Sequence, residues 1–318
     1  MAPTPLEIFA LSPAPDSGIE IFIKRDDLTG SELSGNKIRK LEFILYDAIA
    51  KRSDIILTCG GTQSNHCRAT AAMAARIGID CELILKGKAP AVPDGNFLLD
   101  SLFKAKAKFI SVQEYEKNIN GQLTKRAAAL AKKGRRPYII PEGASDPLGA
   151  WGYVLAAMEL KSQLDKAGIA ADYVACAVGS GGTYAGLYLA SKLLDWPVKV
   201  IGFAVCRNTD HFVARIGKLV TEFMATYMPD RHVDCSDITI DDCYIGPGYA
   251  KASAKEIDFI KGIAGNTGII LDPAYTAKAM IGLFDHISEG KMEKGAKVVF
   301  VHTGGLLSIF AYKRELFK

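Results

Sequence analysis

Eight short runs rich in β-branched or aromatic residues interleave with eight stretches of helical periodicity along the chain. The runs fall at Ile19–Ile23, Ile55–Thr58, Cys81–Leu85, Phe109–Val112, Tyr138–Pro141, Tyr173–Val178, Val200–Ala204 and Val298–Val301. The helical patterns fall at 37–51, 64–77, 118–133, 146–165, 183–194, 210–226, 251–264 and 276–289. Largely apolar strands must be covered on both faces. The pattern therefore predicts an α/β fold with mainly parallel sheets and helices on either side. The 318 residues suffice for two such lobes with a cleft between them, but periodicity places no boundary.

Composition removes several classes of function. The net charge of +4 is small for this length and no long run of like charge occurs, so nothing points to nucleic acid. Seven cysteines form no CxxC pair and read as small buried hydrophobes in a reducing compartment. The uncharged stretch from Tyr173 to Ser191 is interrupted by four glycines, so it reads as strand, loop and helix rather than a membrane span. The first residues lack a basic segment followed by an apolar one, and a cytoplasmic protein is expected. No histidine spacing suggests a metal.

Two strand-to-helix junctions are suited to anions. In YVACAVGSGGT, Gly179, Ser180, Gly181, Gly182 and Thr183 follow an apolar strand and open a helix. Glycines let backbone N–H groups approach a phosphate, although a plain tight turn would look similar. Tyr184 stands where a dinucleotide fingerprint needs its third glycine, and no Walker lysine follows. In TCGGTQSNHCR, Gln63, Ser64 and Asn65 open a second helix beside Gly60 and Gly61. That arrangement suits a carboxylate, or serves only as an N-cap by Ser64 or Thr62. A third stretch, LSGNKIRKLEF, places Lys37, Arg39 and Lys40 at a helix start. The helix dipole and the neighbouring cations should both lower the pKa of Lys37, which favours imine formation with an aldehyde.

SGNKIRKLEF, GGTQSNHCRATAA, AVGSGGTYAGL, LDPAYTAKAM and VHTGG, in that order, resemble the fold-type II pyridoxal-phosphate enzymes of the tryptophan synthase β-like class. Within that class the chain is most similar to the family of D-cysteine desulfhydrase and 1-aminocyclopropane-1-carboxylate (ACC) deaminase, over about residues 20–312. The resemblance implies two open three-layer α/β/α domains, 44–150 and 1–43 plus 151–318, with the cofactor in the cleft. It implies a homodimer acting on a small amino acid. Lys37 would bind the cofactor aldehyde. Lys40 and Gly179–Thr183 would hold its phosphate, and Asn65 its phenolic oxygen. Ser64, with Gln63 and Asn65, would receive the substrate carboxylate. Tyr249 and Tyr275 match two active-site tyrosines, the second packing on the pyridine ring; without the resemblance both read as core aromatics.

Thr276 and Thr303 stand where ACC deaminases carry Glu and Leu, so D-cysteine desulfhydrase is the expected member. A carboxylate beside the pyridine nitrogen deepens the electron sink, whereas a hydroxyl suffices when thiolate leaves from Cβ. Lys37 would then act as general base in a β-elimination yielding pyruvate, ammonia and hydrogen sulfide. Leu306-Leu307 replace the family's Ala-Pro and are expected to alter the wall near the cofactor. ACC deaminase, a lyase for another substrate such as L-cysteate, a pyridoxal-phosphate carrier without turnover and a nucleotide-binding oxidoreductase are the alternatives.

Overall fold

A computed structural model describes residues 2–317. In chain order the strands are β1 (Leu6–Ile8), β2 (Glu20–Lys24), β3 (Ile55–Gly60), β4 (Asp80–Lys86), β5 (Lys106–Ile110), β6 (Pro137–Ile139), β7 (Tyr173–Val178), β8 (Lys199–Ala204), β9 (Thr239–Asp241) and β10 (Lys297–Val301). The main helices are α1 (Lys37–Ala50), α2 (Asn65–Arg76), α3 (Gly95–Leu102), α4 (Val112–Ala131), α5 (Pro147–Ala167), α6 (Gly182–Leu193), α7 (Thr209–Tyr227), α8 (Ala254–Thr267) and α9 (Thr276–Ser288).

The strands form two sheets, ordered β1-β2-β10-β7-β8-β9 and β5-β4-β3-β6. Every pairing is parallel except β1 with β2. Separate apolar clusters cover the two faces of each sheet, which makes both units three-layered α/β/α. All residues of β3 and β7 are buried, which is why both read as unbroken apolar runs.

Helix α1 joins the two units. Leu41, Ile44, Leu45 and Ala48 pack into one core of the smaller sheet. Its first turn instead lies against α5. A Cβ added to Gly152 would fall 2.3 Å from the carbonyl oxygen of Arg39, so the two backbones nearly touch there. The Arg39 guanidinium reaches both Asp26 oxygens, at 2.9 and 2.8 Å, and Glu159 at 3.0 Å. Tyr153 on α5 also donates to Asp26, at 2.6 Å.

Several element boundaries differ from the sequence expectation. Helix α3 was not anticipated: its FLLDSLF run is too short to separate strand from helix, and Asp94 caps it at Gly95 N. Val112 is not in a strand. It opens α4 behind a Ser111–Glu114 capping box, and the non-helical Asn118 explains a pattern that seemed to begin later. Strand β5 starts earlier, at Lys106, because an edge strand tolerates exposed lysines. Helix α8 is set by a Ser253–Glu256 box and runs 254–267. The three-residue strands β1 and β9 were too short to read.

Asp100 of α3 is buried, and neither carboxylate oxygen has a hydrogen-bond partner among the described residues. Burial pushes its pKa up to about 8, against the pull of Arg68. A carboxyl whose folded pKa is raised binds protons more tightly when folded. Its penalty is absent below the unfolded pKa, grows as pH rises, and is complete above the folded value. Asp100→Asn should therefore gain stability relative to the parent between pH 5 and 8, by up to about 1.4 kcal/mol per pH unit, in urea unfolding at each pH. A pH-independent difference would contradict this.

Candidate active site

Both sheets point the carboxyl ends of parallel strands toward one cavity of about 400 Å³. Lys37, Ser64, Asn65, Gly179, Tyr275 and Thr303 are among the residues that line it. Lys37 and Thr303, 266 positions apart in the chain, are thus brought together.

Close backbone contacts hold the loop before α1. Gly35 has φ +101°, and a Cβ there would lie 2.7 Å from the Thr303 carbonyl oxygen. A Cβ on Gly304 would lie 2.6 Å from Gly35 Cα, so the SGN and HTGG motifs meet glycine to glycine. Asn36 N donates to Thr303 O at 3.0 Å. Asn36 does not cap α1 with its side chain. Its Oδ1 accepts from Lys37 Nζ at 2.8 Å, and its Nδ2 donates to Thr183 Oγ1 at 2.9 Å.

Lys37 is half-buried on the cavity wall. Burial lowers its pKa to about 8, and Arg68 lowers it further while Asp272 opposes. The direction matches the sequence expectation but the cause does not, because Arg39 is turned away into its ion pairs. Lys40 is fully buried and its pKa lies well below the usual lysine range, through burial first and then Lys37. Its amine makes only long bonds, 3.2 Å to Gly143 O and 3.3 Å to Ser145 Oγ. A Cβ on Gly182 would stand 2.8 Å from Lys40 Nζ and 2.6 Å from Ser145 Oγ. Ser180 Oγ is 2.8 Å from Ser145 Oγ, and Arg215 donates to Ser180 O. An under-paired buried cation, hydroxyls and the open N-terminus of α6 make a donor set that fits a phosphate.

Ser64 caps α2 by accepting from Cys67 N at 3.2 Å, and it also lines the cavity. Asn65 Oδ1 accepts from Asn96 Nδ2 at 2.9 Å, which turns its own amide donors elsewhere. Gln63 is not brought to the cavity wall. Its carboxamide accepts from Asn96 N and donates to Asp94 O. His66 Nε2 lies 2.7 Å from Thr58 Oγ1, whose proton goes to Ile140 O, so His66 must donate there. Burial keeps this imidazole neutral. Burial also raises the pKa of the Cys59, Cys67 and Cys206 thiols.

Tyr249 and Tyr275 join hydroxyl to hydroxyl at 2.5 Å with their rings edge to face. Burial raises both pKa values, so both phenols stay protonated. One donates to the other, which leaves the acceptor's own proton for a ligand. The loop carrying Tyr249 is tied down by Lys278 to Gly248 O and by Tyr312 to Ala250 O. The Tyr275 ring lies beside Gly179, where a Cβ would be 2.8 Å from its Cε1. Thr276 is turned away from the cavity: its hydroxyl donates to Asp272 Oδ1 and accepts from Asp272 N. Leu306 is partly exposed and Leu307 O packs toward Gly95, so neither changes the cavity wall as expected.

The sequence family described as "Pyridoxal-phosphate dependent enzyme" matches residues 1–304. The chain belongs to this family. It is 41% identical to the bifunctional D-cysteine desulfhydrase/1-aminocyclopropane-1-carboxylate deaminase, mitochondrial, of Arabidopsis thaliana, over 97% of this chain and 77% of the relative. It is 38% identical to D-cysteine desulfhydrase of Klebsiella pneumoniae, over 99% and 95%. A solved structure described as an ACC deaminase homologue superposes with a TM-score of 0.89 at 34% identity, over 98% and 92%. This pyridoxal-phosphate enzyme contains no described helix long and apolar enough to cross a membrane.

Lys86, Tyr115, Glu142, Arg207 and Arg215 also line the cavity and were missed by motif reading. Lys86, Glu142 and Arg207 sit at or just past the ends of β4, β6 and β8, and a rule that ligands bind at the carboxyl ends of parallel strands would have found them.

Two outcomes are expected for the cofactor. Its uptake, followed as visible absorbance, should speed up as pH rises through about 8 and be lost in Lys37→Ala. Gly182→Ala should fold, since the nearest obstructing atoms belong to the Ser145 and Lys40 side chains and not to backbone, but bind pyridoxal phosphate at least about tenfold more weakly by equilibrium dialysis. Undiminished binding would remove the phosphate from this turn.

Proposed function

We propose that the enzyme removes a β substituent from a small amino acid, with D-cysteine as the favoured substrate. With one water consumed, the products are pyruvate, ammonia and hydrogen sulfide. The observation carrying this is the convergence of Lys37, the Ser64–Asn65 helix start and the Tyr249–Tyr275 hydroxyl pair on one cavity. The names of relatives from Klebsiella pneumoniae and Arabidopsis thaliana support the substrate. Residues 44–150 and the remainder are proposed to act as two domains. Resemblance to the family supports a homodimer in the cytoplasm.

When bound, pyridoxal phosphate supplies the sink for the electron pair left at Cα. Lys40, Ser180, Gly181, Gly182 and Thr183 would hold the phosphate end. Lys37 would carry the cofactor and then serve as the base at Cα, and its lowered pKa keeps part of it neutral near pH 7.5. Asn36 Oδ1 orients that amine. Ser64 and the first N–H groups of α2 receive the substrate carboxylate. Asn65 Nδ2, left free by the bond from Asn96 to Oδ1, would donate to the cofactor's phenolic oxygen. The Tyr275 ring would flank the cofactor, and the spare phenol proton of the Tyr249–Tyr275 pair would be available to the departing group. Thr303 lies on the same wall.

Position 276 places no carboxylate in the cavity: the residue is threonine, and its hydroxyl is turned onto Asp272. That supports elimination of a good leaving group over opening of a cyclopropane. Purified protein loaded with cofactor should release sulfide and pyruvate from D-cysteine and little 2-oxobutyrate from ACC. Lys37→Ala should lower the rate by about 100-fold or more. Comparable or faster turnover of ACC would replace this reading with the deaminase.

A further inference from the structure

Lys86 is the last residue of β4 and lies on the cavity wall. Its ammonium sits 4.9 Å from the ring centroid of Tyr249 and 5.5 Å from that of Tyr115. Two aromatic faces thus hold the charge without using its three N–H donors. Among the described residues it makes no hydrogen bond or ion pair. The nearby carboxylate of Glu142 accepts from Tyr115 Oη at 2.8 Å instead. A Cβ built on Gly61 would be 3.9 Å from Tyr249 Cε1 and 4.0 Å from Lys86 Cε. The cation therefore stands beside the Gly60–Asn65 turn and the Tyr249–Tyr275 pair.

The carboxylate of an amino-acid substrate already has donors at Ser64 and α2, and the phosphate has Lys40. Lys86 stands apart from both donor sets, beside the Gly60–Asn65 turn, and its unpaired charge calls for another negative group. On a small amino acid that group must be on Cβ. We infer that Lys86 is a specificity-determining residue that receives a negatively charged sulfur group on the substrate Cβ, thiolate or sulfonate, and so favours it over a neutral substituent. This rests on the lyase reading above. In that reaction the Cα proton goes to Lys37, the Cβ–S bond breaks, and its electron pair leaves with sulfur: a sulfonate departs as sulfite, and a thiolate takes the spare proton of the Tyr249–Tyr275 pair to depart as hydrosulfide. The Lys86 ammonium faces the charge that collects there.

The test compares the cofactor-loaded protein with its Lys86→Gln and Lys86→Arg variants. Lys86→Gln should lower kcat/KM for D-cysteine by about 10–100-fold and for β-chloro-D-alanine by no more than about threefold, with partial recovery in Lys86→Arg. Affinity is measured separately, from the cofactor absorbance, for cysteate and alanine of each hand. The parent should prefer cysteate, and Lys86→Gln should lose about tenfold of that preference. Equal losses for charged and neutral substrates, or no loss, would overturn the role of Lys86. If the parent turns over none of these compounds, the lyase reading fails, while the cysteate-to-alanine ratio still decides what Lys86 does.

Discussion

The site depends on the close crossing of α1 and α5. At Gly152 the backbones meet so closely that no side chain fits between them. The Arg39 guanidinium, paired with Asp26 and Glu159, clamps that crossing. A buried arginine is costly to desolvate and is held by its two carboxylates, one of which, Asp26, also accepts from Tyr153. With Arg39 fixed, the helix period decides where the other two cations go. Lys37 meets the cavity and Lys40 meets the turn of Gly143 and Ser145. Three cations in four residues therefore do three different jobs.

The second organising constraint is strand direction. Parallel strands send all their carboxyl ends one way, so the loops after β3, β4, β6, β7, β8 and β10 all reach one space. Each loop brings a different chemical group: helix N–H groups, a cation between two rings, a carboxylate, a glycine turn, an arginine and a threonine. Polar groups that do not face this space are satisfied locally, as Gln63 is by Asn96 and Thr276 by Asp272.

What was legible in the sequence follows from these constraints. Strands buried on both faces announce themselves as apolar runs, so β3, β7 and β8 were plain. Edge strands such as β1, β5 and β9 were missed or misplaced because solvent relaxes their pattern. Motif glycines were readable because a turn or a close approach demands them. Side-chain direction was not readable. Nothing local shows that Gln63 turns toward α3 or that Thr276 folds back on Asp272. Lys86 lies outside every motif, and only the sheet geometry gives it meaning. The low pKa of Lys37 was foreseen in direction, but its main cause, burial, is a property of the folded chain.

The buried thiols have a further consequence. Cys59, Cys67 and Cys206 all lie near the cavity, and burial keeps each protonated near neutral pH. Protonated thiols are poor nucleophiles and exchange slowly with disulfides. If the pocket handles sulfur compounds as proposed, it is thereby protected from self-inflicted mixed disulfides and persulfides, without excluding cysteine from its walls.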